Sequence, residues 1–528
     1  MCGFAVYTGS DKRTRLDIAS EFQKLKYRGP DNTETEDFTD KGWMGFHRLK
    51  IMDTTDDGNQ PMNYRNIHLI CNGEVYNYSE LYQRYRDKYE FQSKSDCEVI
   101  IPMFLERGPG ETAQELDAEF VFVIYDSAQD KYFAARDPVG IRPMFYGYTE
   151  EGSIMFASEM KALHNLCPQV KPFPPGHYYD GEKFISYRDI AAVSEYTEDS
   201  TEKTFRNINK LLTKAVEKRL QSDVPVGFLC SGGLDSSLVC AIGQRLLDKP
   251  IKTFAVGINE DPIDTKYARQ VAEYLGADHT EVLFTKQDIF DTLSTLIYNL
   301  ETWDITTIRA SMGMYLVCKY IAENTDVKVL MTGEISDEIF GYKYTDYAPT
   351  PEAFQEEAEK RIREIYLYDV LRADRSISSN GLEARVPFGD LDFVSYVMGI
   401  PPVKKMNFTG IGKYLLRKSF EGDYLPPEIL YREKAAFSDA VGHSVTDYLK
   451  EYAEKMYTDD RFAKTQIKYN HVTPMSKESL MYREIFEYHF PGRADLIPDY
   501  WMPNKAWENC NVEDPSARVL PNYGKSGE

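Results

Sequence analysis

The 528-residue chain lacks several features that mark specialised classes of protein. Acidic residues outnumber basic ones by 84 to 62, for a net charge of −22, and no block of Lys or Arg interrupts that balance. This argues against nucleic acid as a partner. No apolar run approaches the roughly 18 residues of a membrane span, and residues 1–13 contain no apolar segment suited to a signal peptide. The sequence therefore predicts a cytoplasmic protein without a membrane partner.

Clustered cysteines are also missing. The eight cysteines are widely separated, with no C-x-x-C pair and no Cys/His cluster of zinc spacing. A disulfide framework and a zinc knuckle are therefore not indicated. Most of these cysteines are expected to be small buried apolar residues, and only Cys2 differs by its position.

The composition, 42% hydrophobic and 28% charged, is that of a folded globular protein too long for a single core. Residues 2–190 show short strand patterns joined by turn residues with three helical stretches, which predicts an α+β domain with a mainly antiparallel sheet. The next residues, up to 202, are polar and acidic without apolar periodicity, and we interpret them as the domain boundary.

A second domain is predicted over residues 203–500. There an amphipathic helix is followed by alternating strands and helices, typical of a parallel sheet covered by helices, and then by a helix-rich part. Residues 501–528 carry scattered Pro, Asn and Asp with little periodicity, and are predicted to be a weakly ordered C-terminal tail.

Cys2 is the first candidate for chemistry. Initiator methionine is removed before small residues, so the mature chain would begin with a thiol and a free α-amine on one residue. An α-amine titrates near 7.7–8.0 and can serve as base for an adjacent nucleophile. For an isolated Met-Cys start, the alternative that position 2 merely holds a small residue is favoured.

Four polar motifs change that balance: residues 28–31 (Arg-Gly-Pro-Asp), Arg48, residues 72–74 (Asn-Gly-Glu) and Asp96. Each follows a turn or ends a predicted strand, where a small polar ligand can meet side chains and bare backbone. Arg48 can pair with an α-carboxylate, whereas Glu74 and Asp96 can hold an α-ammonium. Taken singly, each motif is better explained as a turn or a surface ion pair.

Together these motifs resemble the class II glutamine amidotransferase domain, an N-terminal-nucleophile hydrolase, over essentially residues 2–190. The resemblance implies a sandwich of two antiparallel sheets between helices, with Cys2 attacking the side-chain amide of glutamine to release ammonia and then glutamate. Asn72 and Gly73 would form the oxyanion hole, and Tyr27 stands where the family often has histidine. Glutamine would be bound by Arg48, Leu49, Lys50, Ile51, Met52, Asn72, Gly73, Glu74 and Asp96.

A glycine-rich turn opens the second half. A buried-strand pattern runs directly into residues 231–237 (Ser-Gly-Gly-Leu-Asp-Ser-Ser) and then a helix. Unpaired N–H groups and the helix dipole make such a turn an anion cradle, although the Gly-Lys-[Ser/Thr] ending of a Walker loop is absent. A capped turn without a ligand is the alternative. The arrangement resembles the pyrophosphate loop of ATP pyrophosphatases.

Further charged positions lie downstream. Residues 332–338 follow a predicted strand at the ligand-bearing edge of the sheet, so Asp235 and Asp337 are candidates to share Mg²⁺, against the alternative of an acidic helix N-cap. The hydroxyls and guanidinium of residues 302–311 suit a carboxylate substrate. Lys434 is a candidate for stabilising charge during adenylate formation, and otherwise a solvated lysine.

Over nearly the whole chain, the ordered motifs resemble glutamine-hydrolysing asparagine synthetases of the bacterial two-domain type. This implies β-aspartyl-AMP formation from aspartate and MgATP, followed by displacement of AMP by ammonia that crosses an internal passage. Glu334 would act as general base or orient the intermediate, and a homodimer is a family-level expectation. ATP would contact Leu229, Ser231, Gly232, Gly233, Asp235, Ser236, Val256, Thr332 and Gly333, and aspartate would contact Thr306, Thr307, Arg309 and Glu334.

The chain departs from that pattern at three positions. Ile335 replaces a common glycine, a glycine is missing after Gly341, and Gly389 replaces leucine. Two rival functions remain open: amidation of a different carboxylate by the same adenylation chemistry, and a glutaminase with a degenerate synthetase half. The retained Cys2 argues against the first rival, and the intact Asp235, Glu334, Asp337 and Lys434 argue against the second.

Overall fold

The computed structural model describes residues 1–258, 263–433 and 443–524. Two compact units make up the chain. The first unit comprises Met1–Ile190, Gln221–Pro225 and Ile377–Ala384, and the second comprises Ala191–Leu220, Val226–Ser376 and Arg385–Glu528. Within the described residues, no helix is both long enough and apolar enough to cross a bilayer.

The first unit contains two six-stranded sheets in the orders β10-β8-β9-β1-β3-β2 and β12-β11-β7-β6-β5-β4. Neighbouring strands run antiparallel, which confirms the predicted fold class. The strands are β1 Gly3–Tyr7, β2 Asn32–Asp37, β3 Trp43–Arg48, β4 Met62–Tyr64, β5 Ile67–Val75, β6 Ala118–Asp126, β7 Lys131–Arg136, β8 Phe145–Tyr148, β9 Ile154–Ala157, β10 Val170–Pro172, β11 His177–Tyr179 and β12 Phe184–Ser186. Three α-helices accompany them: α1 Lys12–Phe22, α2 Tyr78–Tyr85 and α3 Ile100–Glu115.

Alternation along the strands builds the core of this unit. Phe4 and Phe46 of the first sheet pack with Val121 and Val123 of the second in one buried cluster. The opposite face of the second sheet is covered by α2 and α3, whose apolar side chains join a second cluster. Each sheet therefore buries one face against the other sheet, and the central strands β1, β3 and β6 are buried along their whole length.

The second unit is built on a five-stranded sheet of order β15-β14-β13-β16-β17, in which β13 to β16 pair in parallel. These strands are β13 Val226–Leu229, β14 Lys252–Ile258, β15 Asp278–Phe284, β16 Val329–Met331 and β17 Glu383–Arg385. The predicted parallel sheet with helical cover is confirmed. The described helices are α4 Thr201–Arg219, α5 Leu234–Leu246, α6 Ile263–Leu275, α7 Lys286–Leu300, α8 Ile305–Asn324, α9 Ser336–Phe340, α10 Pro351–Glu364, α11 Asp369–Ser378, α12 Leu391–Met398, α13 Pro402–Lys405, α14 Tyr414–Ser419, α15 Pro427–Leu430, α16 His443–Met456, α17 Asp459–Gln466 and α18 Lys477–His489.

The C-terminal residues differ from the predicted weakly ordered tail. Trp507, Cys510 and Leu520 are buried in one apolar cluster with Tyr344 and Phe354. Low periodicity suggested disorder, but burial here comes from contacts with residues more than a hundred positions earlier rather than from a local helix or strand. Residues 501–524 are therefore an integral part of the second unit.

Candidate active sites

Cys2 lies at the start of β1, held by main-chain contacts on both sides. Its N–H donates to Oδ1 of Asn72 at 3.0 Å, and its carbonyl accepts from Nε of Arg28 at 2.8 Å. The Leu49 N–H lies 3.4 Å from Sγ. Burial raises the pKa of the Cys2 thiol, so the thiol needs a nearby base before it can act as a nucleophile.

Asn72 provides a donor without a competing partner. Its side chain is buried, and while Oδ1 accepts from Cys2, Nδ2 has no hydrogen-bond partner within the described residues. A buried amide N–H without a partner is costly unless a ligand oxygen reaches it. Asn72 therefore presents a donor suited to a developing oxyanion beside Cys2.

Gly73 adds a backbone donor on the same strand. The N–H groups of Cys71 and Val75 point to the open edge of β5, where they donate to side chains of Gln60 at 2.6 Å and Asp96 at 2.6 Å. Along a strand, the N–H groups of successive residues point to opposite edges, so every second residue shares an edge. The N–H of Gly73 therefore points to the same edge as those of Cys71 and Val75. A Cβ at Gly73 would lie 2.4 Å from the Glu119 carbonyl oxygen, which explains the glycine.

Arg48 is placed differently from its predicted role. Its guanidinium donates to the carbonyls of Met52 at 3.1 Å and Thr55 at 2.7 Å, to that of Asp53, and to Oδ1 of Asn59 at 2.9 Å. The loop after β3 supplies acceptors for both terminal nitrogens of the guanidinium, so Arg48 holds this loop, and its contact with a ligand carboxylate stays a prediction.

The other predicted glutamine ligands surround the same loop and the end of β5. Leu49, Ile51 and Glu74 are buried, Met52 is half-buried, and Lys50 pairs with Asp56 at 2.7 Å near the surface. Asp96 is buried as an acceptor for β5. Among the predicted glutamine ligands, Leu49 and Asn72 contact Cys2 directly, and Gly73 follows Asn72 on β5.

The structure contains a buried ionic network beside Cys2 that the sequence analysis did not predict. Glu159 accepts from Arg28 at 2.5 Å and from Lys161 at 2.7 Å, and Tyr27 donates to the same carboxyl group. Arg28, Glu159 and Lys161 are all fully buried. Since Arg28 also holds the Cys2 carbonyl, the network fixes the main chain of the nucleophile.

The second unit contains a cavity of about 610 Å³ at the carboxyl ends of β13 and β16. The loop after β13 turns at Gly232, which has φ +70° and where a Cβ would lie 2.6 Å from the Ala268 nitrogen. Hydroxyls of Ser231 and Ser236 contact each other at 2.9 Å across the loop. This glycine-dependent turn at the start of α5 has the form of the predicted anion cradle.

The loop after β16 packs directly on that cradle. A Cβ at Gly333 would lie 2.8 Å from the nitrogen of Ser236, and Ser336 Oγ donates to Asp235 at 2.7 Å. Ile335 is buried with φ +81°, the left-handed region that a β-branched residue rarely adopts. The predicted ATP residues Leu229, Ser231, Gly233, Asp235, Ser236, Val256, Thr332 and Gly333 all line the cavity.

Lys413 is the main residue that the sequence did not reveal. Its buried Nζ lies 2.7 Å from Asp235, 2.9 Å from Ser336 and 2.6 Å from Asp337. The two predicted metal ligands therefore converge on one point, and in this structure a lysine ammonium lies between them. A lysine in a polar loop carries no local signal of such a role.

Glu334 lies in the cavity wall and pairs with Arg372, which also contacts Asp369 at 2.8 Å. The next turn places Glu338 in the same wall. Burial raises the pKa of Glu338 well above its usual range, and the charges of Asp369 and Asp337 add to the rise. The wall thus combines an ion-paired carboxylate with one biased toward its neutral form.

Thr306 and Thr307 line the cavity, whereas Arg309 does not. The Arg309 guanidinium is buried and forms paired contacts with Glu478 at 2.8 and 2.6 Å and with Asp514 at 3.0 Å. Both carboxylates come from distant parts of the chain. Because the guanidinium already pairs with them, the structure does not show the predicted contact of Arg309 with a substrate carboxylate. Lys434 lies outside the described residues.

Lys405 lines the same cavity, almost fully buried. Burial lowers its pKa from 10.5 to about 7, so the native state binds this proton more weakly than the unfolded chain does. The resulting stability cost is complete below pH 7 and disappears as pH rises toward 10.5. We expect Lys405→Met to stabilise the protein by up to about 4 kcal/mol at pH 7, with a gain that shrinks at higher pH.

Differential scanning calorimetry of Lys405→Met from pH 6 to 10 would measure this difference. The exposed Lys210 provides the matched substitution, Lys210→Met, which should leave the unfolding midpoint unchanged. A midpoint for Lys405→Met equal to that of the wild type at pH 7 would contradict the expected cost.

Comparison with known proteins assigns both halves of the chain to known families. Residues 1–216 match the family model described as a glutamine amidotransferase domain, and residues 207–352 and 345–517 match the model described as asparagine synthase. Glutamine-hydrolysing asparagine synthetases from Homo sapiens (41% identity) and Mus musculus (40%) each align over 99% of this chain and 99% of their own. A probable member from Acanthamoeba polyphaga mimivirus is 41% identical over 99% of this chain and 100% of its own. The chain belongs to the glutamine-hydrolysing asparagine synthetase family.

Proposed function

We propose that this protein synthesises asparagine from aspartate and ATP with ammonia released from glutamine, giving glutamate, AMP and pyrophosphate as the other products. The observation that carries the proposal is the pairing of two sites in one chain. One is a thiol beside Asn72, whose Nδ2 has no hydrogen-bond partner in the part of the chain that the structure describes, and the other is a cavity in which Asp235 and Asp337 converge on Lys413. A cytoplasmic location, a glutaminase domain over residues 2–190 and a synthetase domain that begins at residue 203 belong to the same proposal.

Glutamine hydrolysis would occur in the first unit. After removal of Met1, the Cys2 amine would take the thiol proton while Sγ attacks the side-chain carbonyl carbon, and the same proton would leave with ammonia. Asn72 Nδ2 and the Gly73 N–H would stabilise the oxyanion, because both donors are already fixed in place. Water would then release glutamate from the thioester and restore the thiol.

Activation of aspartate would occur in the second unit. The β-carboxylate would attack the α-phosphorus of ATP, with pyrophosphate leaving toward the cradle of residues 231–236. Lys413 would neutralise phosphate charge at the point where Asp235 and Asp337 meet. The product of this step is β-aspartyl-AMP.

Mg²⁺ fits this set of groups. Within the described residues no cluster of three or more His, Cys, Asp or Glu side chains could hold a metal alone, but Mg²⁺ usually takes one or two carboxylates together with phosphate oxygens and water. Asp235 and Asp337 would hold it, and when bound it would offset the negative charge of the triphosphate.

Amide formation would complete the reaction. Ammonia would attack the acyl carbon of β-aspartyl-AMP, AMP would leave, and the attacking nitrogen would lose one proton to give the amide. Glu334 is the proposed base or orienting group, because its carboxylate lies in the cavity wall and Arg372 fixes its direction. Thr306 and Thr307 would contact the aspartate.

The test is mass spectrometry of the products from protein incubated with MgATP, aspartate and glutamine carrying heavy nitrogen in its side-chain amide. Heavy-amide asparagine with equal amounts of AMP and pyrophosphate is expected. Glutamate without asparagine would overturn the proposal and favour a different acceptor carboxylate or a glutaminase with an inactive second half.

A further inference from the structure

The C-terminal segment reaches the cavity of the second unit. Residues 501–524, here called the C-terminal strap, contribute six residues to the cavity wall: Trp501, Pro515, Ser516, Ala517, Asn522 and Gly524. The side chain of Trp501 also lies against Arg361, at 4.8 Å from guanidinium carbon to ring centroid. The strap therefore helps to define the shape of the cavity.

One buried carboxylate joins the strap to the proposed acceptor residues. Asp304 is fully buried, and its Oδ2 accepts from the Thr307 N–H at 2.8 Å and from the Thr306 hydroxyl at 3.1 Å. Its Oδ1 accepts from the Trp501 N–H at 2.7 Å. The position of the two threonines is thus coupled to the position of the strap.

A second connection runs through Arg309. Its guanidinium contacts Asp514 of the strap with two bonds of 3.0 Å, beside the pair with Glu478, and Lys450 approaches Asp514 at 2.7 Å. Arg309 lies one turn after the threonines on α8. The strap is therefore tied to the start of α8 from two sides.

The far end of the strap is anchored on the opposite wall. Asn522 donates to the Lys343 carbonyl at 2.7 Å and to Asp346 at 3.0 Å, while Lys343 Nζ reaches the Asn522 carbonyl at 3.3 Å. Both Lys343 and Asp346 line the cavity. The strap is consequently held near its start by Asp304, in its middle by Arg309, and at its far end by the cavity residues Lys343 and Asp346.

We infer that the C-terminal strap forms the acceptor wall of the synthetase cavity and that its docking, through Asp304, Arg309 and Lys343, positions Thr306 and Thr307 for the aspartate carboxylates. This inference rests on the proposed function. If the wall is only partly docked, the apparent affinity for the acceptor falls in proportion to the docked fraction. The nucleotide cradle lies on other loops and should be unaffected.

Two point substitutions test the wall without deleting its buried residues. Asp514→Asn keeps the volume but removes the charge that Arg309 pairs with, and Glu478 still neutralises the arginine. Asn522→Asp places a carboxylate beside Asp346. The exposed neighbour Glu513 gives the matched control Glu513→Gln. The wild type and the three variants are assayed for asparagine formation with ammonia, aspartate and MgATP, and separately for glutamate release.

For Asp514→Asn and Asn522→Asp we expect the KM for aspartate to rise roughly tenfold, while the KM for ATP, the glutamate release and the behaviour of Glu513→Gln stay at wild-type values. An unchanged KM for aspartate in both variants would overturn the role of the strap. Equal rises in the KM for aspartate and ATP would also overturn it, because they would indicate general disruption. Failure of the wild type to form asparagine would instead overturn the proposed function and the strap's role with it.

Discussion

Replacing Cys2 with alanine is expected to lower glutamine-dependent asparagine formation by about 10³-fold or more, because the substitution removes the thiol that is proposed to form the thioester. Asparagine formation from added ammonia should continue at the wild-type rate. The reason is that Cys2 and its contacts Asn72, Leu49 and Arg28 all belong to the first unit, whereas the nucleotide cavity is lined by residues of the second.

The measurement is a pair of assays on purified Cys2→Ala, one supplied with glutamine and one with an ammonium salt. Cys318→Ala is the matched control. Cys318 is fully buried in α8, and burial raises the pKa of its thiol well above the usual range. Residual glutamate release in Cys2→Ala close to wild type would show that another nucleophile hydrolyses glutamine.

Substituting Lys413 by glutamine is expected to reduce pyrophosphate and asparagine formation by about 10²- to 10³-fold, the usual loss when one fixed charge that stabilises the transition state is removed. Lys413 is the cation at the meeting point of Asp235 and Asp337. Without it, two carboxylates of like charge face the entering triphosphate. Glutamate release, which depends on residues of the first unit, should be retained.

Pyrophosphate release from MgATP and aspartate, with ammonia as the nitrogen source, is the direct measurement. Lys418→Gln is the control, because Lys418 lies on the adjacent α14 in a partly exposed ion pair with Glu421. Lys413→Arg, which keeps the charge, should recover part of the activity. If Lys413→Gln forms pyrophosphate as fast as the wild type, Lys413 is only a structural counter-charge.

The sequence predicted those parts of the fold that depend on neighbouring residues, such as apolar strands and glycine turns. Most strands of the first unit, such as β5 and β8, match their apolar runs, and the cradle after β13 follows from its glycines. By contrast, β2 was missed: all residues of Asn32–Asp37 are polar and none is buried. An edge strand of that kind has no alternation to detect.

The site residues also differ in whether the local sequence could predict them. Cys2 directly precedes β1, whereas Asn72 and Gly73 lie on β5 of the other sheet, and each residue belongs to a motif that is visible in the local sequence. Arg309 could not be placed from sequence, because its carboxylate partners lie 169 and 205 residues further along the chain. The strap and Lys413 were overlooked for the same reason: their burial depends on distant side chains, which a local pattern does not show.

The backbone at Ile335 is held by the turn that surrounds it. Its carbonyl accepts the N–H groups of Glu338 and Ile339 at 3.2 and 3.4 Å, and the residue lines the cavity. The surrounding turn, rather than the preference of the residue itself, therefore imposes the left-handed backbone. Because glycine adopts this conformation without strain, the same turn can hold either residue, and the choice between them sets how much side chain stands beside the cradle of residues 231–236.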